Sequence, residues 1–290
     1  MTATNAARLM IVALCIAASH VVAAEAIAET SSGDALAVRI DAALATGALS
    51  DAAQLIARDG AHLPDARAAL ARSDYALAAN DTETAAAGYR VLVDQPAVAA
   101  RAYLGLGLIA LGKGDSAAAA TALDLACERD PLLVRAWVAR GVAADRQRDW
   151  DRAERMYDRA LVLAPGSGAA LTNRGYSRLL RGRLDASISD SLAALAIDPG
   201  MAAATNNLRL ARAMLGDYKS AFAGSTKATL ASDLNTVGFA AMSRGDYSIA
   251  ESYFTRAMRI SPQFDRIAWD NLVYLKELSH RPADLLPPQR

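Results

Sequence analysis

The residue types that most often carry catalysis are too few and too scattered in this chain to predict a reactive site. Its three histidines are His20, His62 and His280, and none has a partner residue at a metal-ligand or catalytic-triad spacing. A zinc site or an activated nucleophile needs such groups held together. The sequence therefore predicts a protein that is not an enzyme and that uses no cofactor or metal.

A cluster of glycines, Gly105, Gly107, Gly112 and Gly114, could suggest a loop that binds phosphate. A phosphate loop follows a strand, however, and no strand pattern precedes these residues. Their spacing instead belongs to a helical repeat. We therefore reject a nucleotide-binding interpretation.

Two asparagines, Asn173 and Asn207, are the side chains best suited to recognise another polypeptide. They lie about 34 residues apart, at the same position of a repeat of that length. An amide donates and accepts hydrogen bonds at once, so it can pair with the backbone of an extended peptide. The alternative is that these asparagines only cap or bridge neighbouring helices.

Arginines are concentrated between residues 134 and 183, where eleven arginines face five acidic residues. The first arginines alternate with acids at helical spacing, which is typical of solvated helix faces. Arg174, Arg178, Arg181 and Arg183 lack acids nearby in sequence and are candidates to bind an acidic partner or headgroup. The formal net charge of the chain is zero, so no overall field draws it to nucleic acid.

One pattern, repeated with a period of about 34 residues, must position these side chains. An aromatic and a glycine, as in Trp137 and Gly141, are followed by an alanine, a bulky residue and a proline, as in Ala153, Tyr157 and Pro165. Small residues let two antiparallel helices approach, the bulky ones fill the gaps, and the proline ends the second helix. Between residues 100 and 165 the pattern occurs twice in phase.

This pattern resembles the tetratricopeptide repeat (TPR) family. The resemblance implies an all-α fold, a right-handed TPR superhelix (α-solenoid) of about six helix–turn–helix repeats, with an N-terminal helical hairpin and a C-terminal capping helix. The predicted divisions are 1–24 (signal peptide), 25–65 (linker and hairpin, a degenerate repeat or cap), 66–264 (repeats 66–99, 100–133, 134–167, 168–201, a shortened 202–230, and 231–264), 265–279 (capping helix) and 280–290 (flexible tail).

In TPR proteins the first helix of each repeat lines a concave groove that binds protein. Carried over by register, the resemblance implies that the groove is formed by Arg101, Arg135, Arg146, Thr172, Asn173, Tyr176, Asn206, Asn207, Asn235 and Phe239.

The N-terminal sequence, with Arg8, an apolar run from Leu9 to Ala18 and small residues near Ala24, is typical of a cleaved secretory signal peptide. The alternative is a buried helix. Leu14 precedes Cys15 where a lipidated cysteine needs a small residue, so we expect no lipid anchor. Cys127 would then be the one cysteine of the mature chain, and we expect it to be a buried apolar residue.

The order of repeats from Leu171 to Leu275 resembles the TPR proteins of Tad (Flp) pilus assembly, of the TadD type. We therefore expect a secreted, periplasmic, non-catalytic scaffold that binds a partner protein or extended peptide and meets a membrane only through that partner. A structural or self-assembling spacer, and less favourably an accessory docking subunit of an envelope enzyme, remain alternatives. The oligomeric state and the identity of the partner stay open.

Overall fold

The computed structural model describes residues 32–261, 263 and 265–279, and every regular element in that part of the chain is helical. The predicted signal peptide (1–24), Cys15 and the predicted tail (280–290) lie outside the described residues. Contacts divide the chain into two units, with the division between Ser177 and Arg178. The all-α fold class is as predicted.

The first unit consists of antiparallel helix pairs joined by short turns. Its helices are α1 (Ser32–Ala45), α2 (Leu49–Asp59), α3 (Asp65–Ala78), α4 (Thr82–Leu92), α5 (Ala99–Lys113), α6 (Ser116–Arg129), α7 (Val134–Arg146), α8 (Trp150–Leu163) and most of α9 (Gly168–Leu180), with a 3₁₀ turn at Gly60–His62.

Small residues set the distance between paired helices. A Cβ atom added to Gly141 of α7 would lie 2.5 Å from the ring of Tyr157 on α8. A Cβ added to Gly107 of α5 would lie equally close, 2.5 Å, to Leu123 on α6. Tyr157 and Leu123 are both fully buried. The repeated glycine therefore makes room for the bulky residue of the second helix, as the sequence pattern indicates.

Aspartates fix where the second helices begin. The carboxylates of Asp81, Asp115 and Asp149 each accept a hydrogen bond from the backbone N–H three residues later, at 3.1, 2.9 and 3.2 Å. This N-cap satisfies a donor that the first helical turn leaves unpaired. Before Asp115, α5 ends at Gly114 in the left-handed conformation, with φ at 80°.

The second unit begins within α9 and continues through α10 (Leu184–Ile197), α11 (Ala202–Met214), α12 (Tyr218–Ala221), α13 (Leu230–Ser243), α14 (Tyr247–Ile260) and α15 (Arg266–Ser279). The pairing of α13 with α14 repeats the first unit's packing, since a Cβ on Gly238 would lie 2.7 Å from Phe254.

The helix α12 has four residues where its counterparts in other repeats have eleven or more. Gly224, with φ at 79°, interrupts the segment that follows it. Turns then lead to Leu230, where α13 begins. The first helices α11 and α13 contact each other, as α3 and α5 do, and more extensively. Among the described residues, no helix is both long and apolar enough to cross a membrane.

Candidate protein-binding surfaces

In the first unit, Arg101 forms ion pairs with two aspartates of neighbouring helices. Its guanidinium donates two hydrogen bonds to Asp41, at 2.9 and 2.7 Å, and one of 2.7 Å to Asp74. The Tyr89 hydroxyl donates a further bond of 2.6 Å to Asp74. Burial raises the pKa of Asp74, although Arg101 and Tyr89 oppose that shift. Burial disfavours the charged form of Arg101, but Asp74 and Asp41 outweigh it and raise its pKa. Arg101 thus ties helices α1, α3 and α5 together.

The other predicted arginines of this unit differ in exposure. Arg135 on α7 is exposed. Arg146, at the end of α7, is partly buried and donates a hydrogen bond to the Leu111 carbonyl at the end of α5. Arg146 therefore caps a neighbouring helix, while Arg135 remains accessible to a ligand.

The polar residues at the start of α9 are buried. Thr172 and Asn173 are 1% and 4% exposed. Asn173 donates a 2.8 Å hydrogen bond from Nδ2 to the Ala169 carbonyl, one turn earlier in its own helix. This contact is local to α9, so it does not bridge to a neighbouring helix.

Tyr176 lies close to a hydrogen-bonded cluster around Asp145. The carboxylate of Asp145 accepts hydrogen bonds from the Tyr157 hydroxyl at 2.7 Å and the Ser177 hydroxyl at 2.6 Å. Burial, and secondarily the charge of Asp145, raise the pKa of the half-buried Tyr176. The role of Asp145 could not be predicted from the sequence, because its partners lie 12 and 32 residues away along the chain.

The prediction that Arg174 and Arg178 lack nearby acids is wrong. Arg174 pairs with Asp158 on α8 at 2.6 Å, within the first unit. Arg178 pairs with Asp190 on α10 at 2.7 Å, within the second. Arg181 and Arg183 also have interaction partners. The antiparallel helices bring these acids, which are distant in sequence, close to the arginines. The four arginines are therefore not a cluster of unpaired positive charges.

In the second unit, Asn206 contacts a buried ion pair. Arg209 on α11 and Asp233 on α13 are each 4% exposed in their side chains and meet at 3.0 Å. Asn206 accepts a 3.0 Å hydrogen bond from Arg209, and Thr229 donates one of 2.8 Å to Asp233. Burial lowers the pKa of Arg209, and Asp233 opposes that shift. Asn207 is 7% exposed and has its own interaction partner.

Asn235 differs from the asparagines before it. Its Nδ2 donates a 2.9 Å hydrogen bond to Asp265, the residue whose carboxylate also caps the start of α15. Its Oδ1 is buried and has no hydrogen-bond partner. A carboxylate can only accept hydrogen bonds, so the NH₂ group of Asn235 must face Asp265. The amide oxygen therefore takes the other, buried position, where it has no donor.

Phe239 lies one turn after Asn235 on α13 and leaves 43% of its surface exposed. By contrast, Phe254, which packs against the same helix, is fully buried. Asn235 and Phe239 together present an unmet hydrogen-bond acceptor and an exposed aromatic ring on neighbouring turns.

An apolar cleft of about 590 Å³ lies between α2, α3 and α4. Only Arg72 and Asp81 of its lining residues carry charge, and the rest are mostly alanine, with Ile56 and Tyr75. Such a lining provides few groups to orient a specific ligand. We assign no ligand to it.

Cys127 is buried, as expected, and burial raises the pKa of its thiol to about 12. Across the described part of the chain, no group of three or more potential ligand side chains could hold a metal ion.

Comparison with known proteins agrees with the repeat pattern. Residues 65–133 and 138–202 match the family model described as tetratricopeptide repeat. The chain is similar in structure to one from the APC/C hetero-tetramer Cut9–Hcn1, with a TM-score of 0.66 and 17% identity over 83% of this chain. It spans about half of that chain, 49%. A second similar structure is the MamA protein, with a TM-score of 0.46, 18% identity, and coverage of 63% of this chain and 94% of that one.

A search of curated proteins gave no significant match. At these identities the structural likeness establishes the fold alone. The chain is therefore similar to tetratricopeptide repeat proteins, and it carries the helical repeats of that family within residues 65–202.

Proposed function

We propose that this chain is a non-catalytic scaffold that binds another protein through an extended peptide segment. In this proposal α13, the first helix of its repeat, provides the central contact. The observation that carries the proposal is the buried, unpartnered Oδ1 of Asn235 next to the exposed ring of Phe239. A buried acceptor without a donor is costly, so the Asn235 side chain is stabilised if it turns outward and accepts a hydrogen bond from a ligand N–H.

The spacing of these two groups suits an extended chain. Residues four apart in a helix are separated by a rise of about 6 Å. Two residues of an extended strand span about 6.6 Å. Once the Asn235 side chain has turned outward, a peptide N–H can donate to its Oδ1 while an apolar side chain two residues along packs on Phe239. The chemical class of ligand is an extended segment with a large apolar residue.

The wider set of predicted groove residues contributes unequally in this proposal. Arg135 is exposed and is free to meet an acidic side chain of the partner in the first unit. Arg101, Arg146 and Asn173 already serve contacts inside the protein. Mutation of those three residues would therefore test stability before it tests binding.

A random-peptide display library provides the experiment, because it samples a large range of ligand sequences at once. The purified protein should enrich peptides that contain a large apolar residue, and Phe239→Ala should weaken the enriched peptides at least tenfold without changing the melting temperature. Val162→Ala is the matched control, since Val162 is 70% exposed on α8 of the other unit. Enriched peptides that bind Phe239→Ala and wild type equally would refute the proposed site.

We further propose that the protein acts in the bacterial envelope, in the assembly of a Tad/Flp-type pilus or secretion apparatus. This proposal rests on the signal-like sequence of residues 1–24 and on the resemblance of residues 171–275 to TadD-type proteins. N-terminal sequencing of the protein from the periplasmic fraction should then give a start close to Glu25. A protein that retains Met1 and stays in the cytoplasmic fraction would contradict it.

A further inference from the structure

The outward side of α15 exposes three large apolar side chains. Its inner side is anchored by Ala268 and Leu275, which are 0% and 4% exposed. On the outside, Ile267, Trp269 and Tyr274 are 65%, 48% and 47% exposed. Several large apolar side chains exposed on one helix face are typical of a contact surface.

The positions of these residues on the helix define the surface. Arg266, Asp270, Val273 and Glu277 follow the spacing of i, i+4, i+7 and i+11, so they form one stripe along the outside of α15. All four are exposed. Ile267 and Tyr274 border the stripe on one side, and Trp269 and Lys276 border it on the other. We call these eight residues the α15 outer face.

We propose that the α15 outer face binds a second copy of this chain, with the two α15 helices antiparallel about a two-fold axis. The helix is electrically self-complementary in that arrangement, because Arg266 lies near its start and Glu277 near its end. Each Arg266 then faces Glu277 of the second copy. A two-fold axis forms every such contact twice.

The same register also pairs the flanking residues. Residues on one side of a stripe meet the same side of the second copy across a two-fold axis, so Ile267 packs against Tyr274 of the second copy. On the other side, Trp269 meets Lys276 of the second copy, and an ammonium over an indole is favourable. Within each copy, the guanidinium of Arg266 lies 3.7 Å from the carboxylate of Asp270. This pairing offsets the charge of Asp270 where it faces Val273 of the second copy.

The size of this contact sets its strength. Each helix is about 21 Å long. A single helix pair of that length buries less than the roughly 1,600 Å² of a standard interface, so the dimer should be weak and dependent on concentration. It requires no peptide ligand, and none of its eight residues belongs to the site at Asn235 and Phe239.

Light scattering coupled to size exclusion, with the purified protein at concentrations from about 1 to 200 µM, provides the readout, since dissociation constants in this range suit a small interface. The mass should rise from that of one chain toward that of two. Arg266→Glu or Glu277→Arg alone should leave a monomer, because each places like charges opposite each other. The double variant Arg266→Glu, Glu277→Arg should dimerise again.

The exchange of charges is a sharp test because it separates folding from association. The exchange loses the exposed pair of Arg266 with Asp270, but an acid at the start of a helix and a base at its end both favour the helix dipole, so the double variant should melt close to wild type. Within one helix these two side chains lie about 16 Å apart along the axis, too far to contact each other. Rescue by the double variant therefore reports a contact between two copies.

The apolar contribution has its own variant and control. Trp269→Ser should abolish the dimer, whereas Val91→Ser should not, although Val91 is 74% exposed on α4. A single-chain mass at every concentration would overturn the proposal. So would a double variant that stays monomeric, or a chain that dimerises only after residues 280–290 are removed, since that segment would then be the occupant of the face.

Discussion

Among single residues, the asparagines of the first helices show how one recurring residue type can take different roles. Asn173 bonds to its own helix, Asn206 to Arg209, and Asn235 to Asp265. Their recurrence was readable from the sequence, because the repeat has a fixed period. Their partners were not, because Asp265 lies 30 residues from Asn235 and reaches it only once α15 is in place. The unmet Oδ1 is visible only in three dimensions.

The capping aspartates carry a pH dependence. Hydrogen bonds from Thr84 lower the pKa of Asp81, and those from Ser220 lower the pKa of Asp217. A carboxyl whose pKa is lower in the folded than in the unfolded state stabilises the fold above the unfolded pKa of about 3.9, and that contribution is lost as pH falls below it.

We therefore expect the free energy of unfolding in urea to drop between about pH 5 and about pH 3, a range that brackets the unfolded pKa of about 3.9. The double variant Asp81→Asn, Asp217→Asn should show a smaller drop. Asparagine still caps a helix but does not titrate in this range. An equal drop in both proteins would mean that these two caps contribute nothing to the acid sensitivity.

At the level of the helices, the pairing of antiparallel helices was predicted from small residues that recur at a fixed spacing from bulky ones. Gly141 with Tyr157 and Gly238 with Phe254 are such contacts. The spacing of the repeats predicted a shortened fifth copy, and α12 has only four residues. What the pattern did not predict is the buried pair of Arg209 and Asp233 between α11 and α13. That pair joins the first helices on either side of the shortened second helix.

Two glycines allow the packing account to be tested with one type of substitution. Gly141→Ala should destabilise the protein by roughly 1–3 kcal/mol, because its Cβ would overlap the buried ring of Tyr157. Gly112→Ala is the control, since nothing lies within 4 Å of a Cβ there. It should stabilise the protein by about 0.4–1 kcal/mol through the unfolded state.

Urea unfolding of the two glycine variants measures both effects. Similar changes in both would show that helix propensity outweighs close packing in these helices. A Gly141→Ala variant as stable as wild type would show that Tyr157 can move aside, although it is fully buried and bonded to Asp145.

For the whole molecule, local repetition explains why the architecture could be predicted and the charge distribution could not. Each helix packs mainly on its neighbours in sequence, so a short pattern repeated many times was enough to indicate an all-α solenoid. Charges pair across those helices instead. The sequence suggested a cluster of arginines without acidic partners. In the structure, Arg174 pairs with Asp158 and Arg178 pairs with Asp190.

The most direct measurement is hydrogen exchange followed by mass spectrometry, on the protein alone and bound to a peptide enriched from the library. If the chain is a peptide-binding scaffold that uses Asn235 and Phe239, the peptide should slow exchange in residues 230–243 more than in any other helix. The Phe239→Ala variant should lose that protection. Protection confined to other helices, or kept by Phe239→Ala, would contradict the account.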